Sequence, residues 1–100
     1  MSEALVLTFR EAGPFQYAAA SDELGVDMAT GEGDIPAGLI CHAAGTADDG
    51  SFVVSEVWES RADQEAFMTS RLGPALQAAG ITSAPQVVWA PLIAHYHSDH

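Results

Sequence analysis

Few side chains in this 100-residue protein can move a proton, attack a carbonyl or hold negative charge: four histidines, one cysteine and three basic residues, all arginine. His42 and Glu56 form the pair of first interest, because each sits in an apolar run and Asp48-Asp49-Gly50 lies between the runs. A carboxylate beside an imidazole fixes its tautomer and favours proton uptake, which makes a base able to remove a phenolic or carbon-bound proton near neutral pH. The resulting carbanion would react with dioxygen or with an internal carbonyl. The same pair placed across two strands would otherwise stabilise the sheet by about 0.2–1 kcal/mol and do nothing more. Trp58 and Trp89 are large enough to wall a flat substrate or to fill a core. Arg71 follows Phe67 by one helical turn, so it either enters a cavity and binds an oxyanion or stays in solvent. Arg61 is expected to pair with Glu65 at i+4.

Other candidates are weaker. Cys41 falls on the opposite side of its strand from His42 and has no evident base, which argues against a catalytic thiol. His95, His97 and His100 invite a metal reading. If they lie on the edge strand opposite His42, three spacings of about 4.8 Å separate them, and a polar strand end is the simpler account. No metal and no cofactor is expected. Gly31-Glu32-Gly33 is acidic and unsuited to phosphate.

Whether His42 meets Glu56 depends on one residue of register. A three-residue loop closing on Gly50 in the left-handed conformation pairs Ala47 with Ser51. It then sets Ala44 against Val54, His42 against Glu56 and Ile40 against Trp58, all on one face. A two-residue Asp49-Gly50 turn would set His42 against Val57 instead.

The elements that carry these residues follow from periodicity and punctuation. Ala4–Arg10 reads as a strand, and Gly13-Pro14 opens a helix on which Tyr17, Ala20 and Leu24 recur before Gly25. Val26–Ala37 is the long connection. Gly38–Thr46 and Ser51–Glu59 are the hairpin strands. Ser60 and Asp63 start a second helix through Phe67, Gly73-Pro74 interrupts it, and Gly80 closes a further short turn. Gln86–His97 is a last strand in which Pro91 demands an edge or a bulge. The order βαββαβ predicts an α+β, ferredoxin-like antiparallel sheet, spatial order 4-1-3-2, with both helices on one face.

Composition bounds the partners. With 48% hydrophobic and 17% charged residues the chain is a single folded domain over residues 1–100, and a net charge of −11 disfavours nucleic acid and anionic membrane surfaces. No apolar run reaches the roughly 20 residues of a membrane span. A lone cysteine and an N-terminus without signal-peptide character fit a cytoplasmic protein. Leu5, Leu7 and Phe9 alternate with Val6 and Thr8, and Phe52, Val54 and Trp58 with Val53 and Val57, so both sheet faces are apolar. Two helices hide only one; a homodimer packed sheet to sheet is expected to hide the other.

The run His42-Ala43-Ala44-Gly45, Asp49-Gly50, Val57-Trp58-Glu59-Ser60 and Phe67 resembles the antibiotic-biosynthesis-monooxygenase-like domains of the dimeric α+β barrel superfamily. The likeness in element pattern covers about residues 3–96. It implies a pocket between sheet and helices; the residues offered for it are Trp58, Tyr17, Phe67 and Trp89, with His42 as base, Glu56 orienting it and Arg71 stabilising charge. Such barrels include cofactor-independent oxygenases of polyketide phenols, haem-degrading enzymes, polyketide cyclases and lactone isomerases. The chain has no Asn and no His on its second helix, unlike the haem-degrading members. The expectation is a cofactor-independent, monooxygenase-like enzyme acting on an aromatic or polyketide-type substrate. A polyketide cyclase or isomerase, or a non-catalytic dimeric ligand-binding or auxiliary protein, is the alternative.

Overall fold

The computed structural model describes residues 2–10, 12–27, 30, 32–81 and 84–94. The elements run β1 (Glu3–Phe9), α1 (Pro14–Leu24), β2 (Val26–Asp27), β3 (Glu32–Gly33), β4 (Leu39–Thr46), β5 (Phe52–Trp58), α2 (Arg61–Phe67), α3 (Gly73–Ala78) and β6 (Gln86–Pro91), with a π-helical turn, Met68–Leu72, between α2 and α3. The four longer strands form one antiparallel sheet in the order β4-β5-β1-β6, the arrangement expected from the strand-helix order. The last strand is therefore an edge, where Pro91, opposite Glu3, costs no interior ladder bond.

Local chemistry accounts for the element ends. Pro14 sits in the first turn of α1, where a missing N–H is harmless, and the Gln16 side chain accepts from the Gly13 N–H at 3.0 Å. Gly25 closes α1 with φ 73°, a left-handed cap that a Cβ would strain. Ser60 accepts from the Asp63 N–H at 3.2 Å, and Asp63 places negative charge in the first turn of α2. Gly50, at φ 89°, donates to the Ala47 carbonyl at 2.9 Å, and the Ala47 N–H donates to the Ser51 carbonyl at 2.8 Å. The three-residue turn therefore forms, and His42 lies opposite Glu56.

Five expectations are corrected. Leu39, not Ile40, pairs with Trp58, because a bulge between Leu39 and Cys41 inserts Ile40 as an extra residue and turns Leu39 toward the core. Gly73-Pro74 does not break the second helix. The π-helical turn lets the Gly73 N–H reach the Met68 carbonyl, and Pro74 falls in the first turn of α3, where its absent donor is not needed. The long connection contains the small β2–β3 ribbon. Arg61 pairs with Glu3 at 3.0 Å rather than with Glu65. The last strand ends at Pro91, and the part of the predicted strand beyond residue 94 lies outside the described residues.

The core is a layer between the sheet and the helices. Leu5, Leu7, Phe9, Phe52, Val54 and Trp58 face inward, and Phe67, Leu24, Leu72 and Leu76 pack on them. On the other face Val6, Val53 and Val57 are half-buried and Val88 is 53% exposed, with no described helix packed over them. No helix of the described residues is long and apolar enough to cross a membrane.

Candidate active site

β4 and β5 place His42 and Glu56 directly across from one another on the helix-facing side, and their side chains meet: Nδ1 lies 2.7 Å from Oε2. Both are nearly enclosed, with side-chain exposures of 10% and 6%. Trp58 is two residues along β5 and so on the same face, and its Nε1–H donates to the second carboxylate oxygen, Oε1, at 3.0 Å. Each Glu56 oxygen thus has a donor, which is what a carboxylate buried in this layer requires.

From the opposite layer α1 brings Tyr17 down onto the pair. Its hydroxyl is 2.7 Å from His42 Nε2, its ring stacks on the imidazole with centroids 5.9 Å apart, and Phe52 supports it at 5.2 Å. Burial pushes the Tyr17 phenol above its ordinary value; the Glu56 and Asp27 carboxylates add to this, and a hydrogen bond with Ser21 partly opposes it. The protonated phenol can donate to Nε2, and in the tautomer that accepts there Nδ1–H donates to Glu56. In that tautomer the chain runs Tyr17 to His42 to Glu56, with Trp58 holding the far carboxylate oxygen.

Two spaces meet at this chain. On the inside is a narrow cavity of about 60 Å³ between sheet and helices, lined by Leu7, Phe9, Leu24, Phe52, Phe67 and Leu76 among others, with Tyr17, Ser21, His42 and Glu56 at its polar end. On the outside is an open groove of about 600 Å³ bordered by Tyr17, Ser21, Asp22, Asp27, His42 and Ala43. Tyr17, Ser21 and His42 belong to both.

The remaining sequence candidates separate. Tyr17 and Phe67 line the cavity. Trp58 is fully buried behind Glu56 and reaches neither space. Trp89 packs against the core with the Arg61 guanidinium 5.1 Å from its ring centre. Arg71 lines neither space: its guanidinium bonds to the carbonyls of Leu24 and Asp34, both at 2.9 Å, meets the Asp34 carboxylate at 3.3 Å and lies 5.3 Å over the Phe67 ring. These polar contacts, all from Nη2, tie the 26–37 connection to the end of α1, away from both spaces beside His42. Among the described residues no cluster of three or more His, Cys, Asp or Glu could hold a metal ion, and His95, His97 and His100 lie outside them. The hydrogen bond from Tyr17 and the presence of Ser21 one turn further on were missed by the reading of the sequence, although their i, i+4 spacing on α1 was visible.

The four-stranded antiparallel sheet with helices on one face is the fold of antibiotic-biosynthesis-monooxygenase-like α+β domains. Solved structures share this fold. A Chloroflexus aurantiacus protein described as an antibiotic biosynthesis monooxygenase superposes with a TM-score of 0.66 at 13% identity, covering 97% of this chain and 98% of that one. The monooxygenase ActVA-Orf6 of Streptomyces coelicolor, solved with nanaomycin D, gives 0.60 at 21% identity over 97% and 93% of the two chains. SnoaB, a cofactor-independent oxygenase from Streptomyces nogalater, gives 0.55 at 13% identity over 99% and 97%. No protein-family model matches the chain, and neither does any curated protein. At these identities the likeness is one of fold.

Proposed function

We propose that this protein is a cofactor-independent oxygenase of aromatic, polyketide-type substrates, working as a homodimer. The observation that carries the reading is the Tyr17–His42–Glu56 hydrogen-bonded chain, whose Tyr17 and His42 members border the groove. With the Tyr17 hydroxyl bonded to His42 Nε2, Tyr17, not His42, meets the substrate. The substrate proton passes to the Tyr17 oxygen as the Tyr17 proton passes to Nε2, and the imidazolium so formed is stabilised by the Glu56 carboxylate. The substrate carbanion forms a C–O bond to dioxygen, and the peroxide anion takes the proton back along the same path. Loss of water turns the original CH2 and O2 into C=O and H2O, with all four electrons supplied by that carbon.

The sizes of the two spaces favour the groove as the substrate's place. Pockets for molecules of this kind run to about 300–1,000 Å³, which the groove reaches and the inner cavity does not. The homodimer is supported by the apolar outer face, where Val6, Val53, Val57 and Val88 lack a cover from their own chain.

The test uses 1,8-dihydroxyanthrone, a tricyclic phenol with one activated CH2. Wild-type protein is expected to accelerate its oxygen uptake without added metal or flavin, and His42→Ala to abolish the acceleration with an unchanged circular dichroism spectrum. Conversion of probe without oxygen uptake would replace oxygenation by cyclisation or isomerisation. Binding without conversion, or equal rates in both proteins, would leave the non-catalytic alternative.

A further inference from the structure

The side chains around the groove are rich in acceptors and poor in donors. Asp22 and Asp27 on its border can only accept. When Glu56 accepts from Nδ1, the Tyr17 proton and His42 Nε2 are spent on each other, so the Tyr17 oxygen meets a ligand with its lone pairs. The Ser21 hydroxyl bonds to Tyr17 one turn away, against the rise that burial gives the phenol, and its own lone pairs remain for a ligand. Nor does any arginine answer the two acids, and the chain has no lysine. Arg61 is held by Glu3 over the Trp89 ring, Arg71 is tied to Leu24 and Asp34, and Arg10 does not border the groove.

We infer that the groove selects uncharged or cationic polycyclic phenols, which turn O–H or ammonium N–H groups toward Asp22 and Asp27, and rejects carboxylated ones. The inference rests on the oxygenase reading and deepens it by fixing the charge of the substrate. Asp27 is steadied at the rim, where one of its oxygens accepts from the Thr30 N–H at 3.3 Å, and its charge stays. The field of that charge reaches the reacting end, since the Glu56 and Asp27 carboxylates both help to raise the Tyr17 phenol. The proposed carbanion forms in this field with the His42 imidazolium as its one positive neighbour. A protonated amine on the substrate brings a second, which the chain itself does not supply. A substrate carboxylate instead becomes a third like charge beside two, at a cost of about tenfold in affinity for an exposed rim. A ring system that extends past Tyr17 into the space between sheet and helices leaves its outer substituents against the same two acids, because both spaces share Tyr17, Ser21 and His42.

The experiment is calorimetric titration of the full chain with three anthraquinones, which lack the activated CH2 and so bind without turnover. They are 1,8-dihydroxyanthraquinone and its 3-aminomethyl and 3-carboxylate derivatives, compared at neutral pH and about 10 mM salt. The amine is expected to bind about tenfold more tightly than the carboxylate, with the neutral compound between them. That spread should shrink severalfold in about 0.5 M salt and in the double variant Asp22→Asn, Asp27→Asn. Should the double variant not fold, the salt series on the wild type decides. Equal affinities, a preference for the carboxylate, a spread indifferent to salt, or no binding of any of the three would overturn the inference. Oxygen uptake with 1,8-dihydroxyanthrone is read separately. Charge selection without uptake removes the oxygenase reading and keeps the preference of the groove, whereas uptake without charge selection removes the preference alone.

Discussion

Glu56→Gln changes little in shape and reverses the direction of a whole hydrogen-bond chain. In the wild type Glu56 accepts twice, from Trp58 Nε1–H and from His42 Nδ1–H. A glutamine accepts with its oxygen and donates with its nitrogen. With Trp58 fully buried and able only to donate, the amide oxygen must face Trp58 and the amide nitrogen His42. The imidazole then has to accept at Nδ1 and carry its hydrogen on Nε2, where it donates to the Tyr17 oxygen. Every group stays satisfied, so the folding cost should stay below about 1.5 kcal/mol. Glu56→Ala leaves two buried donors without partners at about 1–3 kcal/mol each, a loss of about 2–6 kcal/mol from a total of about 5–15. For a domain of this size each kcal/mol moves the melting temperature by about 4–8 °C. Thermal unfolding separates the two variants, and long-range 1H–15N spectra of the imidazole report the tautomer: Nδ1–H in the wild type, Nε2–H in Glu56→Gln. Oxygen uptake with the anthrone should vanish in Glu56→Gln although the protein is folded, because Nε2 can no longer accept. A glutamine variant as unstable as the alanine variant, or one that keeps the Nδ1–H form, would refute the assigned direction of the chain.

The raised Tyr17 value carries a pH signature. As pH climbs through the ordinary 10.0 the unfolded chain loses the phenolic proton first, so stability falls until the folded phenol ionises as well; urea melts of Tyr17→Phe should lack that part of the alkaline loss. Asp49 behaves in the opposite sense: hydrogen bonds from Ser51 hold it below 3.8, so its contribution is present above that pH and disappears as acid protonates the folded carboxyl, and Asp49→Ala should flatten the acid limb of the same melts. Val88→Asp should convert a dimer into 10.5 kDa monomers in sedimentation velocity while the far-ultraviolet spectrum holds, and a wild type that sediments at 10.5 kDa at micromolar concentration would remove the dimer altogether. Arg71→Met keeps the aliphatic reach but removes the bonds to Leu24 and Asp34; hydrogen exchange at the Asp34 and Ile35 amides should quicken severalfold, and unchanged exchange would show that the arginine does not hold the connection.

How much of this could be read from the chain alone depended on how local the cause was. The His42–Glu56 register followed from three turn residues, because a glycine able to take φ 89° specifies loop length and loop length specifies pairing. Strand order followed from the alternation of strands and helices. Tyr17 was legible as a periodic position on α1 and as a candidate pocket residue, but which sheet residue it touches depends on how the helix settles on the sheet, a property of packing and not of spacing. Gly73-Pro74 looked like a break because the rule for proline assumes regular α-helix, and the π-helical turn suspends that assumption. The β2–β3 ribbon, two residues a side, is too short to show alternation. Arg71 shared a helical face with Phe67, as its position over that ring shows, but the carbonyls that capture it come from segments far away in sequence.

The extra residue at Ile40 has a consequence beyond aligning Leu39. β4 is an outermost strand, and an uninterrupted outermost strand is a template on which further chains can polymerise. By breaking the ladder and twisting its first residues, Ile40 denies an incoming chain a flat runway at the end nearest Trp58. Deleting that single residue would straighten the border and expose the protein to fibre growth, even with His42 and Glu56 still face to face.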